Sequence, residues 1–220
     1  MEWMLDTANL AQIEAGLEAL PVAGVTTNPT ILRAEGKIDY LPHLQKIRAL
    51  CGARSLHVQL GADTVEGMLA EADALREALG PDVYLKVPTT QTGLQAMKRL
   101  AARGANVTAT AIYSPLQGML AMAAGAKYLA PYCNRMEQNE IDFARAIAQM
   151  RRLIDRDGYA AKIVAASFKN AGQIVKAVDS GAHAVTAPPA LLNSALRSAL
   201  VTSAVDAFNA DQAWVKGEEK

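Results

Sequence analysis

Eight short runs of β-branched and other apolar residues recur along the chain, at 3–6, 24–26, 55–60, 83–87, 107–111, 128–131, 162–167 and 184–186. Nearly every interval between them is an amphipathic stretch of helical length. Leu10, Ile13, Leu17 and Leu20 share one helical face. So do Met68, Leu69, Ala72, Leu75 and Leu79, then Leu94, Met97 and Leu100, then Phe143, Ile147, Met150 and Ile154. Strands separated by helices pair in parallel, because each helix carries the chain back across the sheet. Eight such units in 220 residues, with no linker or composition shift between them, predict one domain folded as a closed (β/α)8 TIM barrel. An open doubly wound sheet is the alternative. The segment 196–214 reads as one or two terminal helices, the last over about 198–214, and 216–220 as a solvated tail.

The two ends of the strands differ in chemistry. Gly80, Gly104, Gly125, Gly158 and Gly181 each follow a helical pattern and precede a strand, where a helix end favours positive φ. Prolines, hydroxyls and amides gather instead after the strands, as in Thr26-Thr27-Asn28-Pro29, Val87-Pro88-Thr89-Thr90, Ala130-Pro131-Tyr132 and Thr186-Ala187-Pro188-Pro189. A barrel places its reactive loops at that C-terminal face.

Charge and cysteine usage narrow the partners. Lys and Arg number 22 against 22 Asp and Glu, scattered rather than blocked, so no basic patch marks a nucleic-acid or membrane partner. Between Arg103 and Lys127 no charged residue occurs, but Asn106, Thr108, Thr110, Tyr113, Ser114, Pro115 and Gln117 break the stretch into a buried strand, a turn and a core helix. Two isolated cysteines, Cys51 and Cys133, suit a reducing compartment. The opening Met1-Glu2-Trp3-Met4-Leu5-Asp6 lacks the features of a secretory signal, which predicts a cytoplasmic protein. His43, His57 and His183 stand far apart and form no metal-binding pair, so the pattern predicts no metal site, with His57 a packed strand residue. No G-x-G-x-x-G, P-loop or G-x-S-x-G occurs.

Within 83–87, alternation puts Val83, Leu85 and Val87 on one face and Tyr84 and Lys86 on the other. If the apolar face meets the helices, Lys86 points into the barrel. Burial drives an ammonium toward the neutral amine, a nucleophile that forms Schiff bases. A lysine snorkelling from a strand edge is the competing reading. The same alternation collects Asp6, Thr26, Gln59, Thr110, Ser167 and Lys169 on the interior or its rim, with Asn28, Tyr132 and Arg135 just past strand ends. One carboxylate, one inward lysine and several neutral hydrogen-bonders suit a polyhydroxylated ligand. Asp6 also reads as a strand-end or capping aspartate. Arg135, Ser167 and Lys169, from the sixth and seventh junctions, read either as an anion site beside a helix opened by Asn170 or as solvated surface groups.

The motifs Leu5-Asp6-Thr7-Ala8, Gly24-Val25-Thr26-Thr27-Asn28-Pro29-Thr30, Leu85-Lys86-Val87-Pro88, Ala130-Pro131-Tyr132-Cys133-Asn134-Arg135 and Ala165-Ala166-Ser167-Phe168-Lys169 occur in order along the chain. With them the sequence resembles the transaldolase-like class I aldolases, and within that family the fructose-6-phosphate aldolase branch. The resemblance implies that Lys86 is the Schiff-base lysine and Asp6 its acidic partner, and that Thr26 and Asn28 bind substrate hydroxyls. It also implies that Gln59, Thr110 and Tyr132 hold a catalytic water, and that Arg135 and Ser167, with Lys169, bind a phosphate of a sugar-phosphate substrate. No metal or organic cofactor is implied, and the assembly implied is a homodecamer of two stacked pentamers. Transaldolases place Glu and Phe where Gln59 and Tyr132 stand, so the resemblance favours an aldolase over a transferase. A binding protein that keeps the pocket without the chemistry is a further alternative. The sequence departs from the aldolase pattern at 136–142, where Glu137, Glu140 and Asp142 replace a Gly-rich loop. Acid there is expected to disfavour a dianion and leaves an unphosphorylated acceptor open.

Overall fold

Strand and helix alternate from the first turn of the computed structural model, which describes residues 1–218. The order is β1 (Glu2–Asp6), α1 (Leu10–Ala19), β2 (Val22–Thr26), α2 (Pro29–Ala34), α3 (Tyr40–Cys51), β3 (Ser55–Gln59), α4 (Val65–Leu79) and β4 (Tyr84–Pro88). It continues with α5 (Gln91–Ala102), β5 (Asn106–Ile112), α6 (Pro115–Ala123), β6 (Tyr128–Pro131), α7 (Cys133–Gln138), α8 (Phe143–Asp157) and β7 (Lys162–Ala165). α9 (Ala171–Asp179), β8 (Ala184–Ala187), α10 (Pro189–Ser194) and α11 (Ala199–Lys216) complete it. Each strand pairs in parallel with the next and β8 returns to β1, closing a (β/α)8 TIM barrel rather than an open sheet.

Local chemistry sets where the helices start. Asn9, Asn28, Thr64, Thr90, Ser114, Asp142, Asn170 and Ser198 each accept a backbone N–H of the first turn, and Pro29 and Pro115 occupy the positions where a missing N–H costs nothing. At the other ends, Gly80, Gly104, Gly125, Gly158 and Gly181 all adopt positive φ. Gly24 answers a different demand. A Cβ there would lie 2.1 Å from Ser55 Oγ and 2.8 Å from the Ser55 carbonyl oxygen, so only glycine lets β2 and β3 meet.

Alternation along the strands divides two cores. Leu5, Val25, Leu56, Val58, Leu85, Val87, Val107, Ala109, Leu129 and Ile163 face outward against Ile13, Leu44, Ile47, Leu75, Met97, Leu100, Phe143 and Ile147. The inward cluster is Met4, Tyr128, Ala130, Val164 and Ala184, with Tyr84 packed against it. His57 belongs to this filling: its ring stacks on Tyr84 at 4.5 Å and meets the edge of Tyr128 at 5.1 Å. The plug closes the N-terminal half of the barrel and leaves polar side chains at the other end.

Three expected features are placed differently. The strand expected over 162–167 ends at Ala165, because Ser167 turns to φ 62 and cannot continue a ladder. The interval after β2 holds two helices, the short α2, which buries only Leu32, and α3, which buries Leu44, Ile47 and Cys51 along one face. The tail expected at 216–220 starts one residue later, since Lys216 ends α11 and Gly217 caps it, while residues 219–220 lie outside the described residues. No helix among the described residues is long and apolar enough to cross a membrane.

Candidate active site

At the C-terminal ends of the strands opens a cavity of about 460 Å³. Asp6, Thr26, Asn28, Gln59, Lys86, Thr110, Tyr132, Arg135, Ser167 and Lys169 all line it, so the residues singled out in the sequence share one space. Among the described residues, no three His, Cys, Asp or Glu side chains gather into a metal-binding group.

Lys86 lines the cavity and is buried there, only 6% exposed. Parallel register sets Gln59 on one side of it and Thr108 on the other. Its Nζ donates to the Thr27 carbonyl at 2.6 Å. Thr27 is held in turn by its own N–H, which donates to the His57 carbonyl at 2.9 Å. That carbonyl contact and the Asp6 carboxylate only partly compensate for lost water. Burial pulls the Lys86 amine below its ordinary pKa, against the opposing pull of Asp6. Burial likewise lifts the Asp6 carboxyl above its usual range, opposed by Lys86 and by the hydrogen bond from Thr26. Both groups are thereby driven toward their neutral forms, an amine and an acid at one end of one barrel.

Hydrogen bonds preset the remaining polar groups. The Thr26 hydroxyl donates to Asp6 Oδ1 at 2.6 Å and lies 2.6 Å from Thr186 Oγ1. Thr110 and Tyr132 share a hydroxyl contact at 2.9 Å. Gln59 Oε1 is buried and finds no donor among the described residues. A buried acceptor left so costs roughly 1–3 kcal/mol, which a bound molecule offering a hydrogen recovers. Asn28 spends its Oδ1 on capping α2 through the Ile31 N–H at 3.0 Å, which leaves Nδ2 for a ligand.

The rim is cationic and aromatic. The Arg135 guanidinium lies 5.3 Å from the centre of the Tyr132 ring and reaches the Tyr113 hydroxyl at 3.5 Å. Ser167 and Lys169 come from the loop before α9, which Asn170 caps through the Gln173 N–H at 2.9 Å. Two residues of the lining, Ala111 and Ser167, hold positive φ without being glycine. Ala111 sits in a register shift of β5 against β6, which redirects the end of that strand.

Thr108, Thr186 and Tyr113 also line the cavity, beyond the residues the sequence singles out. Thr108 has the same parity as Thr110, and Thr186 closes the strand run at 184–186, so alternation carried the signal for both. Tyr113 is reached only through the irregularity at Ala111, which no periodicity announces. The acid expected beside the anion site is directed elsewhere: Glu137 accepts from Gln173 Nε2 at 2.5 Å, Asp142 caps α8, and neither lines the cavity, nor does Glu140.

A family model described as Transaldolase/Fructose-6-phosphate aldolase matches residues 3–219. The chain belongs to the transaldolase/fructose-6-phosphate aldolase family. It is also 47% identical over 212 residues to a probable fructose-6-phosphate aldolase of Streptococcus pneumoniae, covering 96% of each chain. The barrel is thus that of an aldolase- or transaldolase-type enzyme, and its polar cavity lies at the face where such barrels react.

Proposed function

We propose that this enzyme is a class I aldolase that makes or breaks the C3–C4 bond of a ketose or ketose phosphate through a Schiff base on Lys86. The observation that carries the reading is an amine buried in a polar cavity, pushed toward neutrality and accompanied, among the described residues, by one carboxyl group, Asp6. The neutral amine attacks the ketone, Asp6 supplies the proton on which water leaves, and the iminium draws electrons from the C3–C4 bond. A water held by Gln59, Thr110 and Tyr132 takes the C4 hydroxyl proton, an aldehyde departs, and a dihydroxyacetone enamine stays on Lys86. Thr26 and the Asn28 Nδ2 bind substrate hydroxyls. Protonation and hydrolysis of the enamine adduct release the donor.

Sugar phosphates of the fructose 6-phosphate and glyceraldehyde 3-phosphate type suit the charge of the site. Lys86, Arg135 and Lys169 face the cavity against Asp6, and Ser167 adds a hydroxyl beside the capped start of α9. Dihydroxyacetone transfer between sugars, the transaldolase reaction, is the second reading. Gln59 and Tyr132 favour cleavage, because the transaldolases that the chain resembles carry Glu and Phe at those two positions. Fructose 6-phosphate supplied alone should yield glyceraldehyde 3-phosphate in a coupled assay. Aldehyde produced only when erythrose 4-phosphate is added would make the enzyme a transferase. Gln59→Glu combined with Tyr132→Phe should move the balance toward transfer.

Assembly with further copies is part of the same proposal. No residue of α11 is buried; Leu200 is 83% exposed and Phe208 68%. Val201, Val205, Phe208 and Val215 follow one another at steps of four, three and seven, the seam spacing of helices that pack together, with Gln212 at the one polar position of that seam. The implied decamer of stacked pentamers would cover this stripe.

A further inference from the structure

Thr186 has no part in the mechanism so far, yet it belongs to a chain of three oxygens inside the cavity. Its Oγ1 lies 2.6 Å from Thr26 Oγ1, which lies 2.6 Å from Asp6 Oδ1. Thr26 and Thr186 are both buried, and they come from strands on either side of β1, which carries Asp6. Thr26 owns a single hydroxyl hydrogen and has two partners at hydrogen-bond distance. With that hydrogen on Asp6 Oδ1, the other contact must be filled by the hydrogen of Thr186. The chain then runs one way, from Thr186 to Thr26 to Asp6. A hydroxyl that accepts is polarised into a better donor, so Thr186 strengthens the bond that Thr26 makes. Because Oδ1 is engaged as an acceptor, the exchangeable proton of Asp6 belongs on Oδ2.

We propose that Thr186 is a positioning residue for the acid Asp6, acting through Thr26 to decide which carboxyl oxygen carries the proton. The proposal rests on the Lys86 imine reading. In the dehydration step the Oδ2 proton passes to the hydroxyl of the carbinolamine, the C–O bond breaks with its electron pair on the departing water, and the nitrogen lone pair forms the C=N bond. Asp6 is left as a carboxylate, its charge stabilised by the two aligned hydroxyls. Hydrolysis of the later imine runs these steps backward and restores the proton to Oδ2. Without Thr186, the Thr26 oxygen is open to accept from Asp6 itself, which draws the proton to Oδ1 and away from the reaction.

The test compares Thr186→Val, which keeps the shape and removes the hydroxyl, with Thr186→Ser, which keeps the hydroxyl. Loss of direction in general-acid catalysis predicts about a tenfold lower kcat for the valine variant with KM within about twofold, and slower build-up of the borohydride-trapped adduct. The serine variant should stay within about threefold of the parent. Parent-like kcat in the valine variant, a change confined to KM, or equal impairment of both variants would overturn the proposal. If the valine variant does not fold, Thr186→Ala replaces it in the same comparison. A parent protein that never forms an adduct defeats the imine reading and the relay together. An adduct in the parent with an unimpaired valine variant defeats the relay alone.

Discussion

Replacing His57 by Phe should change how stability depends on pH more than it changes stability itself. The imidazole is fully buried, stacked on Tyr84, with Nδ1 2.9 Å from Thr108 Oγ1 and Nε2 3.1 Å from Ser55 Oγ. Burial pulls its pKa from the ordinary 6.5 to about 3, and a charge on Lys86 acts in the same direction. At pH 7.5 the folded and unfolded chains both hold a neutral ring, and nothing is lost. As pH falls below 6.5, the unfolded chain binds a proton that the folded chain refuses until about pH 3, so stability declines through that window. At pH 4.5 the decline has run for two pH units, about 2.7 kcal/mol at 1.36 kcal/mol per unit. Phenylalanine keeps the stacking but leaves the buried Thr108 hydroxyl without its partner, a cost of about 1–3 kcal/mol at neutral pH, while the half-buried Ser55 Oγ keeps the Ala23 carbonyl at 3.4 Å. The variant should therefore be the weaker protein at pH 7.5 and draw level with, or pass, the parent at pH 4.5. Urea denaturation followed by circular dichroism, at fixed protein concentration, measures both gaps. Asp6, Glu2 and His183 titrate in both proteins and cancel in the difference. A gap that stays constant to within about 0.5 kcal/mol between the two pH values would refute the claim that this ring is held neutral.

Three further outcomes follow from the site and the surface. Lys86→Met should abolish turnover while lowering urea stability by no more than about 1–3 kcal/mol, since an apolar chain of similar length removes a costly buried amine but takes from the Thr27 carbonyl the donor it has in Nζ; a larger stability loss would count against the cost assigned to that group. Arg135→Ala should raise KM about tenfold or more for a phosphorylated aldehyde and barely change it for an unphosphorylated one, as read from initial rates with each acceptor; equal effects on both would remove Arg135 from phosphate binding. Phe208→Asp in α11 should lower the molar mass found by sedimentation, and an unaltered mass would take the exposed stripe out of the assembly.

Much of this architecture was open to period-two and period-3.6 reading because a barrel repeats one unit. A strand of parity Tyr84 and Lys86 inward, Leu85 and Val87 outward, needed only one decision about which face met the helices. That decision placed Asp6, Thr26, Gln59 and Thr110 in one space with Lys86. Periodicity stopped being informative where the backbone left the repeat. The turn at Ser167 ended β7 early, and the irregularity at Ala111 brought Tyr113 to the rim. Glu137 shows a different limit: its place in the sequence put it beside Arg135, but a partner on another helix, Gln173, decides where its carboxylate goes. The short α2 and α7 were hidden because each buries too few side chains to leave a stripe.

Reductive trapping tests the account most directly. Protein incubated with dihydroxyacetone and sodium borohydride, then digested and mapped by mass spectrometry, should carry the reduced three-carbon adduct on Lys86 and lose it in Lys86→Met. An adduct on any other lysine, or turnover with Lys86 unmodified, would contradict it.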